Sequence, residues 1–420
     1  MRYNIQLPDN KSIRIREMVF SYALGSDIPP LRDGDCHDVQ VAHRALQTLS
    51  TTPSVHPVLV DVEDCGAAYR FLMPLLAATP GRWLLTGAPR LLQRPVLPLV
   101  NVLRGIGADI ERVEDGWSIS GKQFRSVETR HDTSLQSGKT DANTDAGLSL
   151  TIDATQSSQM ASALVLAAPL LGLRTLHLTT TEIPSLPYLK MTLACTRDWP
   201  VTIPGVEVPE IPIGASGDWS AALFWFAYAR LHPEKEISLS PLSFNSIQGD
   251  RVIVQWFNRL NVDISTKDLS VVLRANALGA LPKIVLDVRD CLDTVPVMAA
   301  LAALLPADIT FWNVKNLQFK ESDRLLALAT QLRPYADIEL SDNELRVVGK
   351  GCPVDAHPVF DTHHDHRLAM AFLLFGPSAT LNDTACLRKS YPGLLRDLLL
   401  VQRGLAPESQ KSDFREETEQ

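Results

Sequence analysis

A chain of 420 residues has the length for two or three domains with full apolar cores, which excludes a peptide or a scaffold held only by disulfides. Apolar residues make up 45% and charged residues 21%, the balance of a folded globular protein and not of a disordered, collagenous or coiled-coil one. The net charge of −8 argues against a general binder of nucleic acid or of anionic membranes, so any anionic ligand has to be met by local clusters of cations.

In chain order, the segment from Met1 to Pro8 has no apolar leader, and a cytoplasmic location is expected. Lys11-Ser12 precedes an amphipathic helix from Arg14 to Leu24, closed by Gly25, with Arg16 projecting from its first turns. Asp64-Cys65-Gly66 leads into a helix over Tyr69 to Ala77, and a glycine at a helix entrance lets backbone approach a ligand closely. A strand beginning at Trp83, a helix from Leu97 to Ile106 and a strand from Asp109 to Val113 set the α/β rhythm of the whole chain.

The polar stretch from Thr129 to Gly147 is expected to be a surface excursion. Ser157-Ser158-Gln159 stands before the almost wholly apolar run Met160 to Leu171, which must be a buried helix. Its free N–H groups, two hydroxyls and a carboxamide make either an anion site or an ordinary serine N-cap. Ile203 to Ile213 is Pro-rich and has the composition of a linker. Neither Ala161 to Leu173 nor Val295 to Pro306 reaches the roughly 20 apolar residues of a membrane span.

Lys320-Glu321-Ser322-Asp323-Arg324 is expected to open a helix running to about Leu332, with Lys320 and Arg324 at i, i+4 on one face and Glu321 beside them. His364-Asp365-His366-Arg367 opens the apolar helix Leu368 to Phe375. Cations at helix N-termini oppose the macrodipole, so these clusters are unfavourable unless something negative sits among them, and a small ligand with several anionic groups would supply it. Asp361, His363, His364, Asp365 and His366 are nearly consecutive and lack a second ligand group at metal-like spacing, so no metal site is expected. The six cysteines are scattered without a C-x-x-C pair, as expected of reduced thiols. Residues 407–420 turn polar and charged and are expected to be a disordered tail.

Four helical runs pass directly into a strand at Gly107-Ala-Asp-Ile110, Asp198-Trp-Pro-Val201, Asn261-Val-Asp-Ile264 and Tyr335-Ala-Asp-Ile338. A spacing of roughly 60 to 90 residues is too long for a solenoid unit and indicates a helix-then-strand subunit used several times.

These stretches resemble the 5-enolpyruvylshikimate-3-phosphate synthase family, the 3-phosphoshikimate 1-carboxyvinyltransferases. The resemblance runs from Lys11 to Pro392 through Leu85-Thr-Gly-Ala-Pro-Arg90, Gln93-Arg94-Pro95, Ser157-Ser-Gln159, Ser185-Leu-Pro-Tyr188, Gly217-Asp-Trp-Ser-Ala221, Ser246-Ile-Gln-Gly-Asp250, Lys320 to Arg324, Asp365 to Met370 and Lys389-Ser-Tyr-Pro392. It implies an α/β fold of two domains, an inside-out α/β barrel built from six βαβαββ subunits. The domains would comprise 1–9 with 215–406 and 10–214, and would close around anionic substrates.

Carried over residue by residue, Ser12, Arg16, Ser157, Ser158, Gln159, Ser185, Tyr188, Asn316 and Lys320 would contact shikimate 3-phosphate. Lys11, Gly66, Arg94, Gln159, Arg324, Arg367 and Lys389 would cradle phosphoenolpyruvate, with bidentate carboxylate capture by Arg324 and Arg367. Asp293 would be the base near the 5-hydroxyl, Glu321 and Lys11 would move protons at the methylene carbon and the leaving phosphate, and His366 would support Glu321. The resemblance implies no metal, nucleotide or organic cofactor, two small-molecule substrates, a monomer, and inhibition by glyphosate beside Gly66. It departs from the usual pattern at Arg14, Ile15, Ala67 and Leu186. The related UDP-N-acetylglucosamine enolpyruvyl transferases are disfavoured by the Ser157 and Ser185 stretches and by the lack of an aligned reactive cysteine. A non-catalytic binder of a shikimate-like ligand is disfavoured by the joint presence of Asp293, Glu321, Lys11 and Lys389.

Overall fold

The computed structural model describes residues 1–50, 56–124, 147–208, 210, 217–277, 283–351 and 357–405. The expected tail, nearly all of the 129–147 excursion and the chain crossing near 213–216 lie outside the described residues.

One βαβαββ pattern occurs three times. Strands Val58–Asp61, Gly81–Thr86, Gly116–Gly121 and Asp109–Val113 lie side by side in that order, the first two parallel and the later pairings antiparallel. The same order and sense recur in Arg2–Gln6, Glu236–Ser240, Ser270–Ala275 and Val262–Lys267. They recur again in Ile284–Asp287, Asp308–Trp312, Glu344–Gly349 and Ala336–Leu340. Two further repeats keep, among the described residues, only a parallel pair, Leu148–Ile152 with Leu173–Leu178 and Val359–Phe360 with Thr380–Leu381. Helices Lys11–Ala23 and His37–Leu49 stand without a strand among the described residues.

Two compact units result: Met1–Lys11, Arg32–Val39 and 211–420 form the first, Ser12–Leu31 and Gln40–Glu210 the second. This division differs from the sequence expectation in giving Asn10, Lys11 and Arg32–Val39 to the first unit and in placing the later boundary at 211. Two ion pairs tie that segment there, Arg32 to Asp9 at 2.8 Å and Lys11 to Asp38 at 2.9 Å.

Inside the first unit, helices Trp219–Leu231, Val295–Leu304 and His366–Leu373 are buried almost all round. A helix apolar on every side can only be core, and the alanines of Val295–Leu304 let its neighbours pack closely. Strands such as Arg2–Gln6 and Ile284–Asp287 alternate exposed and buried residues, so each sheet turns one face to these helices and the other to solvent. Gly66–Ala78 and Ser158–Leu166 are the corresponding buried helices of the second unit.

Two expected elements are interrupted by proline. The Met160–Leu171 run is two helices, Ser158–Leu166 and Ala168–Leu171, because Pro169 has no N–H to return to the Val165 carbonyl and its ring crowds that turn. Of the four helix–strand junctions, three become strands, but Asp198–Val201, carrying Pro200, yields only the bridge from Thr175 to Thr202. No described helix is long and apolar enough to cross a membrane.

Candidate active site

Helix starts position the expected residues of the second unit. Arg16 lies in the second turn of Lys11–Ala23 and is buried; its Nε donates to Thr192 Oγ1 at 2.7 Å, Nη1 to the Ser12 carbonyl at 2.8 Å and Nη2 to the Tyr188 carbonyl at 3.2 Å. Its flat face rests on the Phe71 ring, 5.1 Å from the centroid. Burial pulls its pKa down to about 10, so it remains a cation at neutral pH. Three of the five N–H donors of a guanidinium are thus fixed by protein, leaving one on each terminal nitrogen for an external carboxylate.

Ser157 is an N-cap, its Oγ accepting from Gln159 N at 3.3 Å, and Ser158 opens the helix. Arg70 Nη1 donates both to Gln159 Oε1 at 2.9 Å and to the Gly66 carbonyl at 3.2 Å, which commits the Gln159 oxygen inward and leaves its amide donors for a ligand. Ser185 precedes helix Leu186–Cys195 in a left-handed conformation, φ 57°, and its hydroxyl makes no capping bond. At Gly66, the first residue of its helix, an added Cβ would lie 2.5 Å from Arg94 Nη1; the missing side chain is what lets this guanidinium lie across the helix start.

Charges of both signs are interleaved in the first unit. Asp293, on the short turn Leu292–Thr294, accepts from Lys320 Nζ at 3.0 Å and Arg324 Nη1 at 2.8 Å, with Arg367 Nη2 at 3.9 Å. Burial alone would raise its pKa, but Lys320, Arg324 and Arg367 outweigh it and hold the carboxyl well below the usual range. Arg324, only 1% exposed, also donates through Nε and Nη2 to Asp365 at 2.8 and 3.1 Å and through Nη2 to Glu321 at 2.8 Å. Lys11 donates to Asp38 Oδ2 at 2.9 Å; burial disfavours its charge, but Asp38 reverses the balance and raises its pKa above the ordinary lysine value. Lys389 is buried at the end of turn Ala385–Lys389, and Asn316 lies on turn Lys315–Phe319 just before Lys320.

Four expectations change. Lys320 is not on a helix with Arg324: the helix is Arg324–Gln331, capped by Asp323 accepting from Leu326 N, and Lys320 has extended backbone, so the two cations meet on Asp293 and not by helical spacing. The negative charge among the clustered cations is supplied by Asp38, Asp293, Glu321 and Asp365 of the protein itself. Arg324 has four of its five donors on carboxylates, so it cannot grip a further carboxylate bidentately in this arrangement. Finally, both ring nitrogens of His366 are without a hydrogen-bond partner among the described residues, so any support it gives Glu321 is electrostatic and not through a hydrogen bond.

His366 is buried at the first turn of its helix; burial first, then Lys11 and Arg367, push its pKa well below 6.5 and keep it neutral. A depressed folded pKa gives stability that is present above the unfolded value of 6.5 and is lost as pH falls toward the folded value. Unfolding free energy should therefore fall below pH 6.5 with a His366 contribution of up to about 1.4 kcal/mol per pH unit, and His366→Gln should flatten that slope. Urea titrations between pH 5 and 7 with equal slopes for both proteins would contradict this assignment.

Several residues that build the site were not expected in it. Thr192 and Ser162, 2.9 Å apart and buried, orient Arg16. Arg70 orients Gln159, and Asp38 and Asp365 hold Lys11 and Arg324. The sequence signal for Asp365 was its N-cap position, where its Oδ1 accepts from Arg367 N at 2.9 Å.

The EPSP synthase (3-phosphoshikimate 1-carboxyvinyltransferase) family model matches residues 33–398. A 3-phosphoshikimate 1-carboxyvinyltransferase of Bacteroides fragilis is 32% identical over 415 residues, covering 95% of each chain, and one of Vibrio cholerae is 29% identical over 423 residues, covering 92% of this chain and 94% of its own. Among solved structures, the EPSP synthase of Acinetobacter baumannii superposes with a TM-score of 0.65 at 18% identity, over 96% of both chains. The enolpyruvyl transferase NikO of Streptomyces tendae gives 0.61 at 14% identity, over 95% of this chain and 94% of its own. These two likenesses place the repeated βαβαββ units in the inside-out α/β fold. With the family matched over most of its length and a relative of 32% identity spanning 95% of it, the chain belongs to the EPSP synthase (3-phosphoshikimate 1-carboxyvinyltransferase) family.

Proposed function

We propose that the chain transfers the enolpyruvyl group of phosphoenolpyruvate to the 5-hydroxyl of shikimate 3-phosphate and releases phosphate. The observation that carries the reading to specific residues is the cluster of the first unit, where the carboxylates Asp293 and Glu321 share Arg324 and Asp293 also holds Lys320. A binder of anions needs only the cations; the interleaved carboxylates add groups that can move protons.

In the first step the 5-hydroxyl oxygen bonds to C2 of phosphoenolpyruvate, its proton passes to Asp293, and Glu321, having taken a proton from solvent before the substrates close over it, delivers that proton to the methylene carbon. In the second, a proton leaves the new methyl group for Glu321, the bond from C2 to the phosphate oxygen breaks, and the proton held by Asp293 leaves with the phosphate, giving the enol ether. Lys11, held charged by Asp38, neutralises the departing phosphate. Asp293 is a weak base while Lys320, Arg324 and Arg367 surround it. Substrate anions that engage those cations relax the pull on its carboxylate and raise its proton affinity. Arg367 is better placed than Arg324 to take the donor's carboxylate, since its Nε has no hydrogen-bond partner among the described residues. Arg16 takes the ring carboxylate of shikimate 3-phosphate and Lys320 with Ser157, Ser158 and Ser185 its phosphate.

Phosphate release should require both substrates together. Release with shikimate 3-phosphate but not with UDP-N-acetylglucosamine supports the reading, and silence with both substrates overturns it. Arg16→Ala should weaken shikimate 3-phosphate binding in calorimetry by about 1.5–3 kcal/mol, as for a lost charged hydrogen-bond partner. Thr192→Val should weaken it less, because Arg16 keeps its two carbonyl anchors. Gly66→Ala should push Arg94 aside and weaken both phosphoenolpyruvate and glyphosate, the longer inhibitor more, within the about 1–3 kcal/mol typical of overpacking. An unchanged ratio of glyphosate inhibition constant to phosphoenolpyruvate KM would remove Gly66 from that pocket.

A further inference from the structure

We infer that Gln248 is a positioning residue that sets Lys11 and Arg367 relative to each other, and the inference rests on the reading above that these two cations act on phosphoenolpyruvate. Gln248 lies just before the short turn Gly249–Val252 and is buried. A carboxamide offers two acceptor and two donor positions, and all four are used. Oε1 accepts from Asn10 Nδ2 at 2.8 Å and from the Trp219 backbone N–H at 2.9 Å. Nε2 donates to Asp218 Oδ1 at 2.8 Å and to Ser220 Oγ at 3.1 Å.

These partners lead to both cations. Asn10 immediately precedes Lys11. Ser220 is in the first turn of Trp219–Leu231, and its carbonyl accepts from Arg367 Nη1 at 3.2 Å. Backbone pairing closes the same junction, through the bridge from Asp9 to Gly217 and the bond from Asp218 N to the Pro8 carbonyl at 3.2 Å. Gln248 is thus the side chain that spans the segment bearing Lys11 and the helix turn that holds Arg367, without itself belonging to either.

Charge explains why the residue is an amide. Asp218 and Asp250 are buried on either side of Ser220, which donates to Asp250 Oδ2, and both acids attract Arg367. A glutamate at 248 would lose the two Nε2 donors and set a third carboxylate against them. A methionine would keep the length and lose all four bonds. In a saturated buried network each loss leaves several partners unsatisfied, and misplacing a catalytic cation by about 1 Å costs up to about 100-fold in rate.

The test is steady-state phosphate release by the full-length wild type, Gln248→Met, Gln248→Glu and Asn10→Ala, with shikimate 3-phosphate affinity by calorimetry and unfolding midpoints on the same samples. The expected result is a KM for phosphoenolpyruvate raised about tenfold or more in both Gln248 variants, less in Asn10→Ala, with shikimate 3-phosphate affinity within about twofold of wild type. A merely structural role would lower the unfolding midpoint and weaken both substrates alike. Unchanged kinetics in folded variants, or equal weakening of both substrates, would overturn the inference. Should the Gln248 variants not fold, Asn10→Ala, which removes the Asn10 bond to Gln248 and leaves the Gln248 side chain in place, decides by the same criterion. Wild type that is silent with both substrates would overturn the functional reading and this inference with it, whereas active wild type with indifferent variants sinks the inference alone.

Discussion

Replacing Asp293 by asparagine is expected to lower kcat by about two orders of magnitude or more, the range for loss of a general base, while leaving shikimate 3-phosphate affinity within about tenfold. The amide has the carboxylate's shape but cannot take a proton from the 5-hydroxyl. Arg324 stays anchored through Asp365 and Glu321, so its placement survives the change. Lys320 loses a competing anion, and the phosphate it is proposed to bind should not be held more weakly. Phosphate-release kinetics with calorimetry on the same sample separates the two effects. Near-normal turnover would remove Asp293 from the mechanism.

Arg324→Met should show the largest effect on stability. Asp365 is fully buried and receives two hydrogen bonds from Arg324; the other groups donating to its side chain are the Ser322 hydroxyl and the Arg367 N–H. Removing one partner of a buried ion pair leaves an uncompensated charge and costs about 3–5 kcal/mol. Urea unfolding at pH 7 should report a loss of that size. The double variant Arg324→Met/Asp365→Asn should recover part of it, because it removes the stranded carboxylate as well. A single variant within about 1 kcal/mol of wild type would mean that Arg324 is not the buried counter-ion described here.

The fold was legible where local pattern and burial agree. Runs without a polar face, such as Val295–Leu304, could only be buried helices, and the recurrent Ala-Asp-Ile and Val-Asp-Ile junctions mark real strand starts at Asp109, Val262 and Ala336. Helix entrances pointed to Arg16, Gly66, Ser157 and Arg367 because free N–H groups and capping residues leave a local signature.

What sequence spacing could not give was the pairing of residues far apart in the chain. Lys320 and Arg324 were read by helical periodicity, yet Asp323 is the cap and the two cations converge on Asp293, 27 and 31 positions away. Thr192 reaches Arg16 across 176 positions and Gln248 reaches Asn10 across 238, and nothing local distinguishes either from an ordinary buried polar residue. The same holds for Arg32–Val39, whose membership of the first unit depends on Asp9 and Lys11.

The central claim is transfer by addition and elimination, and it is tested most directly by running the reaction in deuterium oxide and following the product by proton NMR. Addition places a solvent-derived hydron on the methylene carbon and elimination removes one of three from the resulting methyl group, so the enol-ether methylene of the product should carry deuterium while inorganic phosphate accumulates. Product formed with a fully protiated methylene, through direct displacement at C2, would contradict the account.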